Sequence, residues 1–588
     1  MSTKKTTNKI EIIRHSAAHV LANAVLEMFP EAKFGIGPAI ENGFYYDFEL
    51  PRTLIPEDLP LLEEKMQAII KANHPFEKEE ISVENARKHF EKLGQKYKLE
   101  LITDLENAGE KTVSVYKSGS FVDLCSGPHL DSTGEINPKA LALTKISGVY
   151  WKSDEKREQL QRIYGVVFAS EKELKEYKIQ QEEALKRDHR KLGKELDLFC
   201  FSDLVGSGLP LYTPKGTIII DELQKHIESV CRKYGFQKVK TPHLAKKILF
   251  ETSGHATKFG EELFSVTSPK KHEFSLKPVQ CPHQTQIYAS KTRSYRDLPI
   301  RYMESDRQYR AEKSGEVGGL NRVYAITVED GHSFCRVDQV KEEVINMVKI
   351  IKDFYSALGL WGNHWVSLSV RDYEHPEKYI GTSEDWDLCE KMLQEVSDEM
   401  KLEAKKCEGE AALYGPKLDF MFKDATGREI QIPTVQLDFA TPKRFELEYI
   451  NEKGEKTSPV MVHRAVLGSY ERFLVLLIEH FAGAFPLWLS PVQTTIIPVS
   501  EKFADYAKEV EQKLLEKNVR AEINDKAESL GKRISETEKQ KVPYILVVGE
   551  REMNEKSVNV RTRGVKEQSS VSIEKFVKKI EKEIAEKK

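Results

Sequence analysis

YMESDRQYRAEKSGEVGGLNRVYAITVEDGHSFCR, running from Tyr302 to Arg336, is the stretch whose reading decides the rest of the chain. It reads as two strands around a polar loop broken by Gly315, Gly318 and Gly319, with Arg310 on the arm before the loop and Arg322 on the arm after it. The first arm carries Arg310-x-Glu312; the second ends in Glu329-Asp-Gly-His332. Cations facing carboxylates and an imidazole are poor material for a core. They are good material for gripping a nucleotide phosphate and a small amino-bearing substrate.

A second segment has matching character. VMVHRAVLGSYER, Val460 to Arg472, is an apolar run broken by Gly468, followed by Glu471, Arg472 and the helix-like FLVLLIEHFAG. A strand entering a helix in this way sets a rigid Arg beside the strand end. With LKPVQCP, Leu276 to Pro282, these segments resemble motifs 2 and 3 of class II aminoacyl-tRNA synthetases and, as a set, the threonyl-tRNA synthetases. The resemblance runs from about Lys9 to near the C-terminus, with independent motifs in order.

Composition agrees with a soluble, multidomain chain. At 588 residues about three or four domains are expected. Hydrophobic residues make up 40% and charged residues 31%, an ordinary globular balance. The net charge of -3 neither supports nor excludes an RNA partner, because electrostatic footprints are local. The start, MSTKKTTNKIEII, has no apolar core of a secretory signal. No apolar run is long enough to span a bilayer. Cysteines 125, 200, 231, 281, 335, 389 and 407 follow no C-x-x-C pattern, which suggests a reducing compartment. The expected location is the cytoplasm.

The chain divides by character. Residues 1–170 mix helix-like and strand-like segments: HSAAHVLANAVLEMF (His15 to Phe29) has helical spacing, and GFYYDFEL (Gly43 to Leu50) alternates as a strand. Residues 171–194 are strongly charged and read as a helical linker. Residues 195–488 hold the motifs quoted above. Residues 489–588 alternate strands with helices, the signature of a small α/β domain. The fold class expected is therefore multidomain α+β and α/β. The resemblance implies a class II antiparallel-sheet core flanked by an N-terminal α+β editing domain and a C-terminal α/β anticodon-binding domain.

Cys281, His332 and His463 lie on three separate segments, a weak metal signal by spacing alone, since buried Cys and His are ordinary core residues. The resemblance places them where the family holds one zinc per chain. Three protein ligands leave an open side that threonine's amino and hydroxyl groups can both fill and valine's cannot. Asp330 shares the strand face of His332 and matches the family residue that accepts from the substrate hydroxyl; Tyr414 matches another residue near the substrate. Any one of Arg310, Glu312, Arg322 and Arg472 could be a surface ion pair. By resemblance they form the ATP site: Arg310 at the α-phosphate, Glu312 at the adenine amino group and Arg472 at the γ-phosphate. Lys417, Gln431 and Gln436 match further residues there, Mg²⁺ accompanies the ATP, and His255 matches a His suspected of assisting transfer to tRNA.

A second polar set lies near the N-terminus. His15 and His19 are four apart, so on a helix they share a face; Cys125 and His129, in VDLCSGPH, are also four apart. H-x-x-x-H with C-x-x-x-H invites a zinc reading, although Ser16 excludes the H-E-x-x-H protease pattern. By resemblance these residues, with Asp123, belong to an editing domain that hydrolyses Ser-tRNA without metal. Both readings stay open at this level. Serine also offers an amino group and a hydroxyl, and the loss of one methyl is worth only ~1–3 kcal/mol, so a second sieve has a reason.

At the C-terminal end, Arg561 and Arg563, with Glu552, match positions that meet anticodon bases. Ile218 to Leu244 resembles motif 1, a helix then a strand, which implies a homodimer. The partners implied are tRNA(Thr), L-threonine and ATP, with no membrane. The chain departs from the family pattern at Val328, where a Gln is usual; at Pro282-His283-Gln284, where P-G-H is usual; at Pro433, often Gly; and at Ala527, often Asn. The small first domain of longer relatives is expected to be missing, because His15 arrives almost at once. The alternatives weighed are a non-catalytic RNA-binding synthetase paralogue and a class II ligase for serine or proline.

Overall fold

The computed structural model describes residues 9–154, 156–313, 315–362, 364–423, 427 and 429–587. The N-terminal segment read for a signal falls outside the described residues over positions 1–8. The chain forms two compact units, one ending at Glu182 and one starting at Glu183.

In the first unit a long helix, Lys9–Met28, is sheathed by a five-stranded antiparallel sheet in which Gly43–Glu49 pairs Gln159–Val167, and Gln159–Val167 pairs Leu141–Tyr150. The amphipathic spacing expected for this helix gives way to burial on every face from Ser16 to Val25. Ala17, Ala18, Ala22 and Ala24 are small enough to let neighbours close in all round. Strand alternation sends Phe44, Tyr46 and Phe48 into the core with the helix. A smaller sheet, Glu77–Ser82, Thr112–Ser118 and Phe121–Leu124, carries Asp123 at its end.

The second unit is built on an eight-stranded sheet, in order Gln237–Lys238, Ile300–Tyr309, Ala325–Cys335, Val460–Ser469, Glu429–Asp438, Lys417–Lys423, His364–Val370 and Lys405–Glu408. Only its two outermost pairings are parallel. The stretch from Tyr302 is thus a pair of antiparallel strands, with Tyr302 opposite His332. The strand from Val460 ends at Ser469, whose side chain accepts from the Arg472 backbone N–H at 3.2 Å and caps helix Tyr470–Phe481. Gly468, with φ of +62°, turns the chain into that helix, a conformation costly for other residues. The charged segment after residue 170 forms two helices, Glu171–Arg187 and His189–Glu195, separated at Asp188, which caps the second.

Not every polar residue of the opening stretch serves a site. Alternation turns Glu329 away from Asp330 and His332 into the core, where both its oxygens take Nη1 of the fully buried Arg464 at 2.7 and 2.8 Å. A Cβ on Gly331 would meet the same guanidinium at 2.7 Å, which explains the glycine. Glu329→Ala strands a buried cation and is expected to cost about 3–5 kcal/mol. A thermal-unfolding midpoint unchanged from the wild type would refute this.

The C-terminal sheet runs Ala521–Ile523, Thr494–Pro498, Tyr544–Val548, Ser557–Thr562 and Gln568–Ser572, parallel over its first three strands and antiparallel thereafter. Helices Ala504–Leu515, Leu530–Lys539 and Ile573–Ala585 pack on it, the α/β pattern expected.

Candidate active site and a second polar site

Three strands of the large sheet and one helix N-terminus converge. Cys281 opens helix Cys281–Ala289. His332 and His463 face each other across the Ala325–Cys335 and Val460–Ser469 pairing, their rings 4.7 Å apart and edge to face. Ligand-capable atoms of Cys281, His332 and His463 lie within 4.8 Å of one another, on the scale of twice a metal–ligand bond of about 2.0–2.3 Å. All three residues are buried.

The hydrogen bonds sort the ring nitrogens. His463 Nε2 is 2.9 Å from Asp438 Oδ2, and Asp438 Oδ1 takes the backbone N–H groups of Ala440 and Thr441. That carboxylate fixes Nε2 as the protonated nitrogen and leaves Nδ1 bare. His332 Nδ1 is 2.8 Å from Gln284 Oε1, while its Nε2 is buried with no hydrogen-bond partner among the described residues. A ligating imidazole backed in this way is the usual support of a metal site. Burial, aided by Asp330 and Asp438, pushes the Cys281 thiol well up. A thiolate there needs a cation beside it. The donor set and its orphaned nitrogen fit a zinc ion.

Cys281 and His463 border a cavity of 300 Å³ whose lining also includes Arg310, Glu312, Arg322 and Arg472; His332 is fully buried and is not part of its wall. Arg322 Nε lies 3.5 Å from Glu312, and Arg472 Nε donates to the Asn321 carbonyl at 2.9 Å. The Arg310 guanidinium sits over the Phe259 ring at 4.8 Å and donates to the Pro278 carbonyl. Burial lowers the pKa of both Arg310 and Arg472, and each loses further to a neighbouring guanidinium. Among the described residues Arg322 is ion-paired to Glu312 and Glu316, while Arg310 and Arg472 make no ion pair, which leaves them able to take an anion.

Asp330, Tyr414, Gln431 and Gln436 share the cavity wall. Burial raises the Asp330 carboxyl to about 7. Tyr414 leans on the His463 ring at 5.4 Å and the His255 ring at 6.1 Å. Lys417 lies outside the lining; its Nζ is 2.6 Å from Asp419, which also takes Gln431 Nε2 at 2.6 Å and Thr434 Oγ1 at 2.8 Å. His255 is buried against Ser253 Oγ at 2.9 Å, and burial, then Lys258, lowers it to about 4, so it is neutral at physiological pH. Val328 lines the cavity with an apolar side chain where the resemblance supplies an amide.

In the first unit His15, His19, Asp123, Cys125 and His129 come together from the buried helix and the smaller sheet. Cys125 Sγ is 3.3 Å from His15 Nε2 and 3.4 Å from His129 Nε2. His19 Nε2 lies 3.5 Å from Asp123 Oδ2. Burial lowers all three histidines, so each is neutral, and raises the Cys125 thiol to about 11. Cys125 is thus a thiol rather than a thiolate nucleophile at pH 7. Two residues here escaped sequence reasoning. Lys98, 2% exposed, is ion-paired to Asp123 at 2.6 Å, and Tyr46 donates to Asp123 at 2.6 Å. Neither stands in a chemical motif: Tyr46 belongs to a strand pattern and Lys98 to a charged helix. Asp438 and Asp419 were missed for the same reason, and Gln284 was noted only as a departure from the pattern after Cys281.

In the C-terminal domain Arg561 borders a 400 Å³ cavity with Lys541, Lys566 and Gln568. Arg563 also borders it, but its guanidinium is taken by the carbonyls of Lys541 at 2.5 Å and Phe485 at 2.6 Å. Glu552 accepts the Gly549 N–H at 3.0 Å and so caps its own helix.

The mainly antiparallel sheet with its buried cations and Cys–His–His set, followed by a small α/β domain, agrees with the class II aminoacyl-tRNA synthetase architecture that the sequence resembles. Residues 264–481 match the tRNA synthetase class II core domain (G, H, P, S and T), residues 493–583 the anticodon binding domain, and residues 113–164 the threonyl and alanyl tRNA synthetase second additional domain. The threonine–tRNA ligase of Gloeobacter violaceus is 46% identical over 98% of this chain and 93% of its own length; that of Cytophaga hutchinsonii is 46% identical over 97% and 88%. A structure titled as the RNA binding domain of Cryptosporidium parvum threonyl-tRNA synthetase aligns with a TM-score of 0.63 at 34% identity, covering 67% of this chain and 98% of that one. The chain belongs to the threonine–tRNA ligase family. It is an enzyme that aminoacylates tRNA and carries an editing-type additional domain. The resemblance and fold class read from the sequence hold, and the non-catalytic alternative is set aside. No helix among the described residues is long and apolar enough to cross a membrane.

Proposed function

We propose that the chain activates L-threonine as threonyl-adenylate, transfers it to tRNA(Thr) and hydrolyses mischarged Ser-tRNA(Thr). The observation that carries this reading is the cavity lined by Cys281 and His463, which cluster with the buried His332, together with the Arg310, Arg322 and Arg472 cations. ATP, brought in with Mg²⁺, would lie on those cations, Arg310 at the α-phosphate and Arg472 at the γ-phosphate, with Glu312 at the adenine amino group. Zinc, when bound by Cys281, His332 Nε2 and His463 Nδ1, supplies a Lewis-acid position that both the amino and hydroxyl groups of threonine can satisfy. Asp330 accepts from the threonine hydroxyl, and Tyr414 packs beside it. The substrate carboxylate, already ionised, attacks the α-phosphorus in line, so catalysis is positioning and charge stabilisation without a general base. Lys417, Gln431 and Gln436 complete the binding surface, and neutral His255 is poised to take a proton from the attacking ribose hydroxyl.

Editing belongs to His15, His19, Asp123, Cys125 and His129. Neutral imidazoles and an un-ionised thiol favour placing and activating a water against the ester over covalent attack. We assign residues 1–170 to editing, 171–194 to a helical linker, 195–488 to catalysis and 489–588, with Glu552 and Arg561, to the anticodon. A cytoplasmic homodimer built across Ile218 to Leu244 completes the proposal.

Amino-acid-dependent ATP–pyrophosphate exchange tests it: threonine should support exchange strongly, serine weakly, and proline and valine not at all. Arg561→Ala should leave exchange intact and lower kcat/KM for tRNA by about 10-fold or more, the ~1–3 kcal/mol of a lost base contact. Unchanged charging by that variant removes the anticodon assignment. Exchange driven by another amino acid removes the substrate assignment.

A further inference from the structure

We propose that Gln284 is a positioning residue that selects the metal-binding tautomer of His332. The inference rests on the zinc reading above and deepens it.

Gln284 is fully buried on helix Cys281–Ala289, three residues after the ligand Cys281. One end of its amide is 2.8 Å from His332 Nδ1, and the other is 3.5 Å from Glu304 Oε2. Glu304 is itself buried and held: it takes the Thr241 N–H at 2.6 Å and the Thr241 hydroxyl at 3.1 Å, with Lys277 Nζ 4.0 Å away. That carboxylate orients the amide. The NH₂ group must face Glu304, because the reverse orientation would set the amide oxygen against a carboxylate. The oxygen is therefore the end that meets His332. An amide oxygen only accepts, so Nδ1 must carry the ring proton, and the lone pair is left on Nε2. That nitrogen is buried with no hydrogen-bond partner among the described residues, Asp330 Oδ2 lying 3.6 Å away, beyond hydrogen-bond reach.

The chain Thr241–Glu304–Gln284–His332 thus carries orientation from a strand-side carboxylate to a metal ligand. His463 is backed differently, by the carboxylate of Asp438. An amide at His332 cannot remove the ring proton, so it sets the tautomer without adding a charge beside the site. This gives a role to a departure from the family pattern: Gln284 stands in the position where P-G-H places its histidine.

The test measures zinc affinity rather than turnover. The wild type, Gln284→Met, Gln284→Asn, Gln284→His and the ligand variant Cys281→Ala are compared by competition with a chelator. The absorption of the Co²⁺-loaded proteins and the unfolding midpoints of the metal-free proteins are recorded alongside. Methionine keeps the volume and removes the acceptor; asparagine keeps the amide but draws it back by one methylene. Both should bind zinc about 10- to 100-fold more weakly than the wild type. Their Co²⁺ spectra should be altered and their metal-free midpoints near the wild type. Gln284→His, which restores an acceptor, should recover most of the affinity. Wild-type affinity in Gln284→Met and Gln284→Asn, with Cys281→Ala deficient, overturns this assignment and leaves the zinc reading standing. Absence of saturable zinc binding in the wild type overturns both.

Discussion

Cys281→Ala is expected to abolish threonine-dependent pyrophosphate exchange, a fall of at least about 10³-fold, equivalent to ~4 kcal/mol of lost transition-state stabilisation. The reasoning is local. Cys281, His332 and His463 are buried from three separate segments, and each histidine has only one ring nitrogen left uncommitted. With one of three ligands gone, the remaining two imidazoles hold zinc weakly, and the amino acid loses the position that separates threonine from valine. The ATP cations are untouched, so nucleotide binding should survive. Metal content and exchange are measured on the same sample. A metal-free Cys281→Ala protein that exchanges at the wild-type rate would show that the set is a core cluster.

Cys125→Ala and His19→Ala are expected to accumulate Ser-tRNA while activating threonine normally. Serine differs from threonine by one methyl, so the activation site discriminates by only about 10–200-fold. With hydrolysis lost, at equal amino-acid concentrations, Ser-tRNA should rise from undetectable to roughly the reciprocal of that ratio. His19 is 3.5 Å from Asp123, which is also paired to Lys98, and Cys125 sits between His15 and His129. The four ligand-capable groups His15, His19, Cys125 and His129 also lie within 4.8 Å of one another. Hydrolysis of preformed Ser-tRNA is therefore to be measured with and without a chelator. Insensitivity supports water activation by the side chains alone, and sensitivity would restore the zinc reading of the H-x-x-x-H and C-x-x-x-H spacing. Normal Ser-tRNA clearance by both variants would place editing elsewhere.

The parts legible in the sequence were those in which chemistry and local pattern coincide. Arg310 and Glu312, and Glu471 with Arg472 after Gly468, are charged residues at strand ends, where polar side chains need a purpose. The helical spacing over His15 to Phe29 and the alternation at Gly43 to Leu50 are periodic signals, whereas the strand from Val460 reads as an apolar run broken at Gly468. Spacing of four puts His15 and His19 on one face of their helix, whereas Cys125 and His129 lie outside any helix and meet through the fold.

What only the tertiary structure decided is which polar groups meet across long sequence separations. Glu329 stood in the same polar run as Asp330 and His332, yet alternation buries it against Arg464, 135 residues away. Lys98 and Tyr46 lie in unremarkable elements and reach Asp123 only after the sheet and helices close. Gln284 reads as one more residue of a short helix until His332 arrives at one end of its amide and Glu304 at the other. The candidate ligands and phosphate cations are singled out in the sequence by the resemblance of their motifs, not by spacing alone. The tautomer of a ligand, the partner of a buried charge and the orientation of an amide are set by hydrogen bonds between strands far apart in the chain. Those bonds exist only once the packed core excludes the water that would otherwise satisfy each group.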